Sequence, residues 1–137
     1  MITRLVLSAA YAFGLAMPAA AQSFEAENRL TVNVVQGGFE VIEGGSFGAR
    51  SVWCAASDYA QDVLGAPGTT RLYVLTPRGP AQTQPGRVGV TFTTDASAVS
   101  PAATLIVSTG LRTPGANLSV DHSYQFCHDH RLINTGQ

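Results

Sequence analysis

The sequence predicts an α+β fold: a small antiparallel sheet with a main helix, over about residues 49–64, and a short C-terminal helix on one face, in the order β-α-β-β-β-α. Three observations predict it. Apolar residues recur at helical spacing between Gly48 and Gly65, apolar and polar residues alternate in several other runs, and glycine and proline clusters separate the two kinds of pattern. One amphipathic stripe and several half-buried strands cover each other most simply when the helices share one face of the sheet. A small β-sandwich with the helix as an appendage is the alternative.

Met1 to Ala21 reads as an export signal, with Arg4 as the positive start, an apolar run from Leu5 to Met17, and Pro18 before the A-x-A cleavage site Ala19-Ala20-Ala21. An apolar run of about thirteen residues falls short of the roughly twenty that span a bilayer, so a retained anchor is the weaker reading. The remaining residues, 22–137, are enough for one small domain with a single core. That domain carries no further apolar run of spanning length. Formal charge is −1 and no run of like charges occurs, which leaves no footprint for nucleic acid or an anionic membrane. All eight basic residues are arginine, and Arg71, Arg78, Arg87 and Arg112 are candidates to cluster in the fold.

Leu30, Val32 and Val34 alternate with polar residues, and Phe39 and Val41 do so again after Gly37-Gly38. The glycine pair is consistent with a tight hairpin or with a bulge in one longer strand. On a wheel of 100° per residue, Val52, Trp53, Ala56, Tyr59, Ala60, Val63 and Leu64 fall in an arc of about 140°, while Ala55, Asp58 and Asp62 point the other way. Cys54 stands at the edge of that stripe. Gly65 and Pro67 end the helix. Leu72 and Val74, then Val88, Val90 and Phe92, mark two half-buried strands joined by a polar loop, Pro77 to Arg87. Ala103 to Val107 is a further strand, Thr113-Pro114-Gly115 a turn, and Ser119 the cap of a closing helix in which Val120, Tyr124 and Cys127 share a face.

Three constellations are candidates for chemistry. Gly44-x-Ser46-x-Gly48 matches a nucleophile elbow between a strand and a helix, the turn that exposes a serine hydroxyl beside amides able to hold an oxyanion. Its base would be His122, His128 or His130, oriented by Asp95 or Asp121, but the chain is far shorter than an α/β-hydrolase sheet requires. A turn in which Ser46 caps the helix is the simpler reading. The same residues, Gly44, Gly45, Ser46 and Gly48 with Arg50, could cradle an anion or small ligand at a helix N-terminus, without the lysine and spacing of a phosphate loop. The bland counterpart is a plain connector. Finally, His122, His128 and His130 lie near Cys127 and Asp129, a donor set suited to zinc or copper, although histidines two apart near a chain end are often only solvated.

The run Phe39-Glu40-Val41-Ile42, then Gly48-Ala49, Trp53-Cys54-Ala55-Ala56, Asp58-Tyr59-Ala60, Leu64-Gly65, Leu118-Ser119-Val120 and Phe126-Cys127 resembles a group of small exported bacterial proteins with no assigned activity. The resemblance spans most of the mature chain and implies no catalytic residue.

Export to an oxidising compartment leaves the only two cysteines one pairing, Cys54 with Cys127, which removes Cys127 as a thiolate ligand. The sequence therefore points to a periplasmic or secreted, disulfide-bonded protein that binds an envelope protein or small ligand, or has a structural role there. No cofactor is implied and catalysis is not favoured. A small serine hydrolase using Ser46 and a metal-binding protein using the C-terminal histidines are the competing expectations.

Overall fold

The computed structural model describes residues 22–44, 48–102 and 110–134. The strands are β1 (Phe24–Glu25), β2 (Thr31–Val35), β3 (Gly38–Ile42), β4 (Arg71–Pro80), β5 (Val88–Thr93) and β6 (Asn117–Ser119). They form a single antiparallel sheet in the order β1-β2-β3-β5-β4-β6. The helices are α1 (Gly48–Asp62), α2 (Val120–Gln125) and α3 (Cys127–Asn134). This is the expected α+β arrangement, with one sheet in place of a sandwich. The strand expected at Ala103 to Val107 lies outside the described residues; β6 pairs with the edge of β4, and neither it nor the two-residue β1 has a sequence run long enough to show alternation.

Val35 pairs with Gly38, so Gln36 and Gly37 form a two-residue hairpin turn, with Gly37 at φ +82°. Gly38 is required for a different reason: a Cβ there would lie 1.9 Å from the Phe92 carbonyl oxygen on β5. Val32, Phe39, Val41, Val74, Val90 and Phe92 share the inner face of the sheet and pack against Val52, Trp53, Ala56, Tyr59 and Ala60 of α1. The Trp53 ring stands edge-on to Phe92 at 5.0 Å between centroids.

Helix α1 stops where glycine allows it. Gly65 takes φ +63°, and the Ala66 N–H donates to the Ala60 carbonyl at 2.9 Å, closing the last turn. Two parts of the helical wheel are corrected. Val63 and Leu64 are 51% and 48% exposed rather than core-facing, because the helix has ended before they reach the sheet. Ala55 and Asp58 are buried rather than solvated, because the turn from Ala26 to Leu30 and the C-terminal helices cover the back of α1. Asp58 accepts the Glu27 N–H at 2.7 Å.

Ser119 caps α2, accepting the His122 N–H at 3.1 Å. The closing segment is two short helices rather than one, with Phe126 between them. Cys54 and Cys127 are joined in a disulfide, both wholly buried, with Cα atoms 5.0 Å apart. It ties the start of α3 to the flank of α1 on which Cys54 was expected.

The outer face of the sheet carries the largest departure from expectation. Strand β4 continues to Pro80, with register shifts between Val74 and Thr76 and between Thr76 and Gly79 that accommodate the proline. The loop of residues 81–87 then folds back across the sheet, so β5 is buried on both faces rather than one. Its anchor is Glu40, 1% exposed, whose carboxylate accepts the Gln82 N–H at 2.7 Å, the Thr83 N–H at 2.9 Å and the Thr83 hydroxyl at 2.6 Å. Asn33 Nδ2 donates to Thr83 Oγ1 and Gln82 Nε2 to Thr91 Oγ1, which adds β2 and β5 to the clasp. Gly89 leaves room for it, since a Cβ there would meet the Glu40 carboxyl carbon at 3.0 Å.

Candidate functional site

Strand β3 ends at Ile42, and the chain leaves the sheet through Glu43 and Gly44 before the glycine-rich loop; Gly45, Ser46 and Phe47 lie outside the described residues. Two arginine-lined clefts include residues of this exit in their walls. One, of about 530 Å³, is lined by Glu43, Gly48, Ala49, Arg78, Leu111 and Arg112 among others. The other, of about 260 Å³, is lined by Asn28, Arg29, Thr31, Ile42, Gly44 and Arg87 among others. Four arginines thus line the two clefts, with Glu43 the one acidic residue among the lining.

Each arginine is brought there by backbone structure. Arg78 sits on the irregular half of β4, donates its own N–H to the Leu111 carbonyl at 2.8 Å and pairs with the Glu43 carboxylate through Nε. That hydrogen bond, with the charge of Glu43, raises the Arg78 pKa further above its ordinary value. Arg87 closes the 81–87 loop and donates from Nη2 to the Glu43 carbonyl at 3.1 Å. Arg112 precedes the turn at Gly115, where φ is +80°, and among the described residues no carboxylate pairs with it. Arg29 has φ +67°, a left-handed conformation that is uncommon for a side chain of this size. The turn holding it is fixed by the Arg29 N–H donating to Ala26 O and by Asn28 Nδ2 donating to Ser51 O.

Three of the four arginines singled out in the sequence, Arg78, Arg87 and Arg112, therefore meet around Glu43 and Gly44. Arg71 is elsewhere, on the other half of β4, where it donates to Asn117 Oδ1. Arg50 projects from the first turn of α1 to Asp129 on α3, at 3.0 Å, with its guanidinium 5.0 Å from the centre of the Phe126 ring. Gly48 opens α1 with φ +57° and lines the larger cleft. Arg29 had no signal in the sequence, because its position depends on a turn that neither periodicity nor a glycine announces.

The other candidate groups are dispersed. Asp95 caps a short 3-10 turn at Ala96–Ala98, and hydrogen bonds from the Ser97 hydroxyl and N–H hold its pKa below the ordinary carboxylate value. Asp121 and His122 are exposed on α2, the latter with its ring 5.6 Å from that of Phe126. His128 and His130 belong to α3 rather than to a solvated tail. Among the described residues no three His, Cys, Asp or Glu side chains gather as a metal site would require.

A polar cluster not foreseen from the sequence joins the N-terminal turn to the closing helices. Glu27 accepts from Tyr124 Oη at 2.6 Å and from Arg131 Nε at 2.9 Å, and the Arg131 guanidinium lies 5.5 Å from the centre of the Tyr124 ring. The bond to Glu27 and burial raise the Tyr124 pKa, while burial is the main cause that raises the pKa of neighbouring Asp58. Its groups satisfy one another, and the arrangement fastens α3 to the turn.

No described helix is long and apolar enough to cross a membrane. No protein-family model, curated protein or solved structure matches this chain.

Proposed function

We propose that the chain is an exported binding protein whose arginine-lined clefts beside Glu43 and Gly44 take a small anionic ligand bearing a carboxylate or phosphate group. The observation that carries this reading is the excess of four arginines over one acidic residue in the lining of the two clefts. In a chain with formal charge −1, such a local excess gives the clefts a sign the rest of the surface lacks. Gly44 and Gly48, one in the lining of each cleft, have no side chain to screen backbone amides from an anion. The Cys54–Cys127 disulfide supports the export signal of residues 1–21 and a periplasmic or secreted location, because such bonds persist in oxidising compartments.

Titration calorimetry with inorganic phosphate and with a small dicarboxylate tests the binding role. Saturable binding is expected to weaken with added salt and to fall at least about tenfold on Arg112→Ala, consistent with loss of one charge-assisted contact. Arg112 is exposed, so the unliganded variant should melt as the parent does. Absence of saturable binding to either anion at low salt rejects the anion reading. Fractionation of the producing cells tests export separately: full-length chain retained in the cytoplasm rejects it.

A further inference from the structure

We infer that the mature chain begins with a pyroglutamate ring formed from Gln22. The inference rests on the export reading, because cleavage after Ala19-Ala20-Ala21 makes Gln22 the N-terminal residue. In that position the free α-amine attacks the Cδ carbonyl carbon of its own side-chain amide. A C–N bond forms to close a five-membered lactam, the Cδ–Nε2 bond breaks, and the nitrogen leaves as ammonia with the proton given up by the amine. No oxidant or co-reactant is needed.

The fold leaves Gln22 free to do this and provides a fitting place for the product. Anchoring starts one residue later: the Ser23 hydroxyl donates to Asn33 Oδ1 at 2.7 Å, and the Phe24 ring stands edge-on to Tyr59 at 5.6 Å. Gln22 itself is exposed and precedes β1, so ring closure disturbs no strand pairing. Phe24 pairs with Val32, and continuing that register places Gln22 opposite Val34, which is 57% exposed and lines a shallow cleft with Leu64 and Tyr59. The uncharged lactam can lie against the apolar side of that cleft, which Thr93, Thr94 and Asp95 also line. The ring also removes the amine that an aminopeptidase in the exported compartment would need.

The test is mass spectrometry of the N-terminal peptide from exported, reduced protein, together with chemical labelling of free α-amines. The expected peptide starts at residue 22, is lighter by one ammonia than its sequence requires, and takes up no label. A peptide that starts at residue 22 with a labelled amine overturns the ring but leaves export standing. Any other start overturns the ring, and export itself is judged by the fractionation. Gln22→Ala, cleaved at the same bond, should take up label; a blocked end in that variant assigns the block to different chemistry and overturns the lactam.

Discussion

The two faces of the sheet are covered in opposite ways. On the inner face α1 fills space with Trp53, Tyr59 and small residues, and the disulfide holds the helical layer together. On the outer face a loop without secondary structure lies over β3 and β5, held chiefly by the hydrogen bonds that one buried carboxylate accepts. Apolar contact depends on volume and tolerates small shifts, whereas the Glu40 clasp depends on donors placed within a few tenths of an ångström. The inner layer therefore belongs to the cooperative core. The outer cover is expected to open without it.

Breaking the staple should have the largest effect. The disulfide closes a chain segment with a separation of 73 residues. Such a loop is worth roughly 4 kcal/mol in the chain-entropy description, a large share of the roughly 5–15 kcal/mol typical of a domain. Cys127→Ser, or reduction, is expected to lower the melting temperature sharply and to speed amide exchange in α2 and α3 before the sheet. Two free thiols in the native protein, or melting that reductant does not change, would contradict this.

Glu40→Ala should come next, at about 2 kcal/mol, because it leaves two N–H groups and a hydroxyl without their charged acceptor. Exchange at Gln82 and Thr83 should rise while α1 stays protected. Global loss of protection in step with the loop would show that the two covers are one cooperative unit. Glu40→Gln, which keeps one acceptor oxygen, is expected to lie between that variant and the parent.

Arg131→Ala sharpens the contrast within the helical side. Its side chain is 45% exposed and bonded to Glu27, so its loss should cost far less than that of the disulfide. Denaturant melts of single and double variants with Cys127→Ser measure whether the two fastenings of the closing helices are additive.

The smallest effect is expected from Asp58→Asn. Burial raises the Asp58 carboxyl above 3.8 in the folded protein, so the native state holds the proton more tightly than the unfolded chain. The resulting contribution to stability is present below 3.8 and is lost as pH rises through the folded value. The substituted amide does not ionise, and its oxygen can still accept the Glu27 N–H, so the variant should flatten the fall in stability above about pH 4 with little change otherwise. Denaturant midpoints measured across that window check it; an unchanged slope would assign the pH dependence to other carboxylates.

The features legible in the sequence are those whose cause is local. The end of α1 at Gly65, the cap at Ser119 and the alternation in β2 and β5 each follow from the conformational preference or spacing of a few adjacent residues. The pairing of Cys54 with Cys127 was equally accessible, because two cysteines allow one bond. The candidate site was legible only in part: the glycine-rich loop and three of the arginines stood out as residue types, but not their meeting at Glu43.

What the sequence by itself determined is thus the class of fold, the position and limits of its main helix, and the covalent link between that helix and the chain's end. Only the tertiary structure decided that Ala55 and Asp58 are buried, that the 81–87 loop covers the outer face, and that Arg29 stands with Arg87 beside Gly44. The physical reason is range. Helical and strand periodicity report one buried side of one element, but a second cover is supplied by residues tens of positions away, such as Thr83 on Glu40 and Glu27 on Asp58, and no local pattern encodes where a distant donor will land.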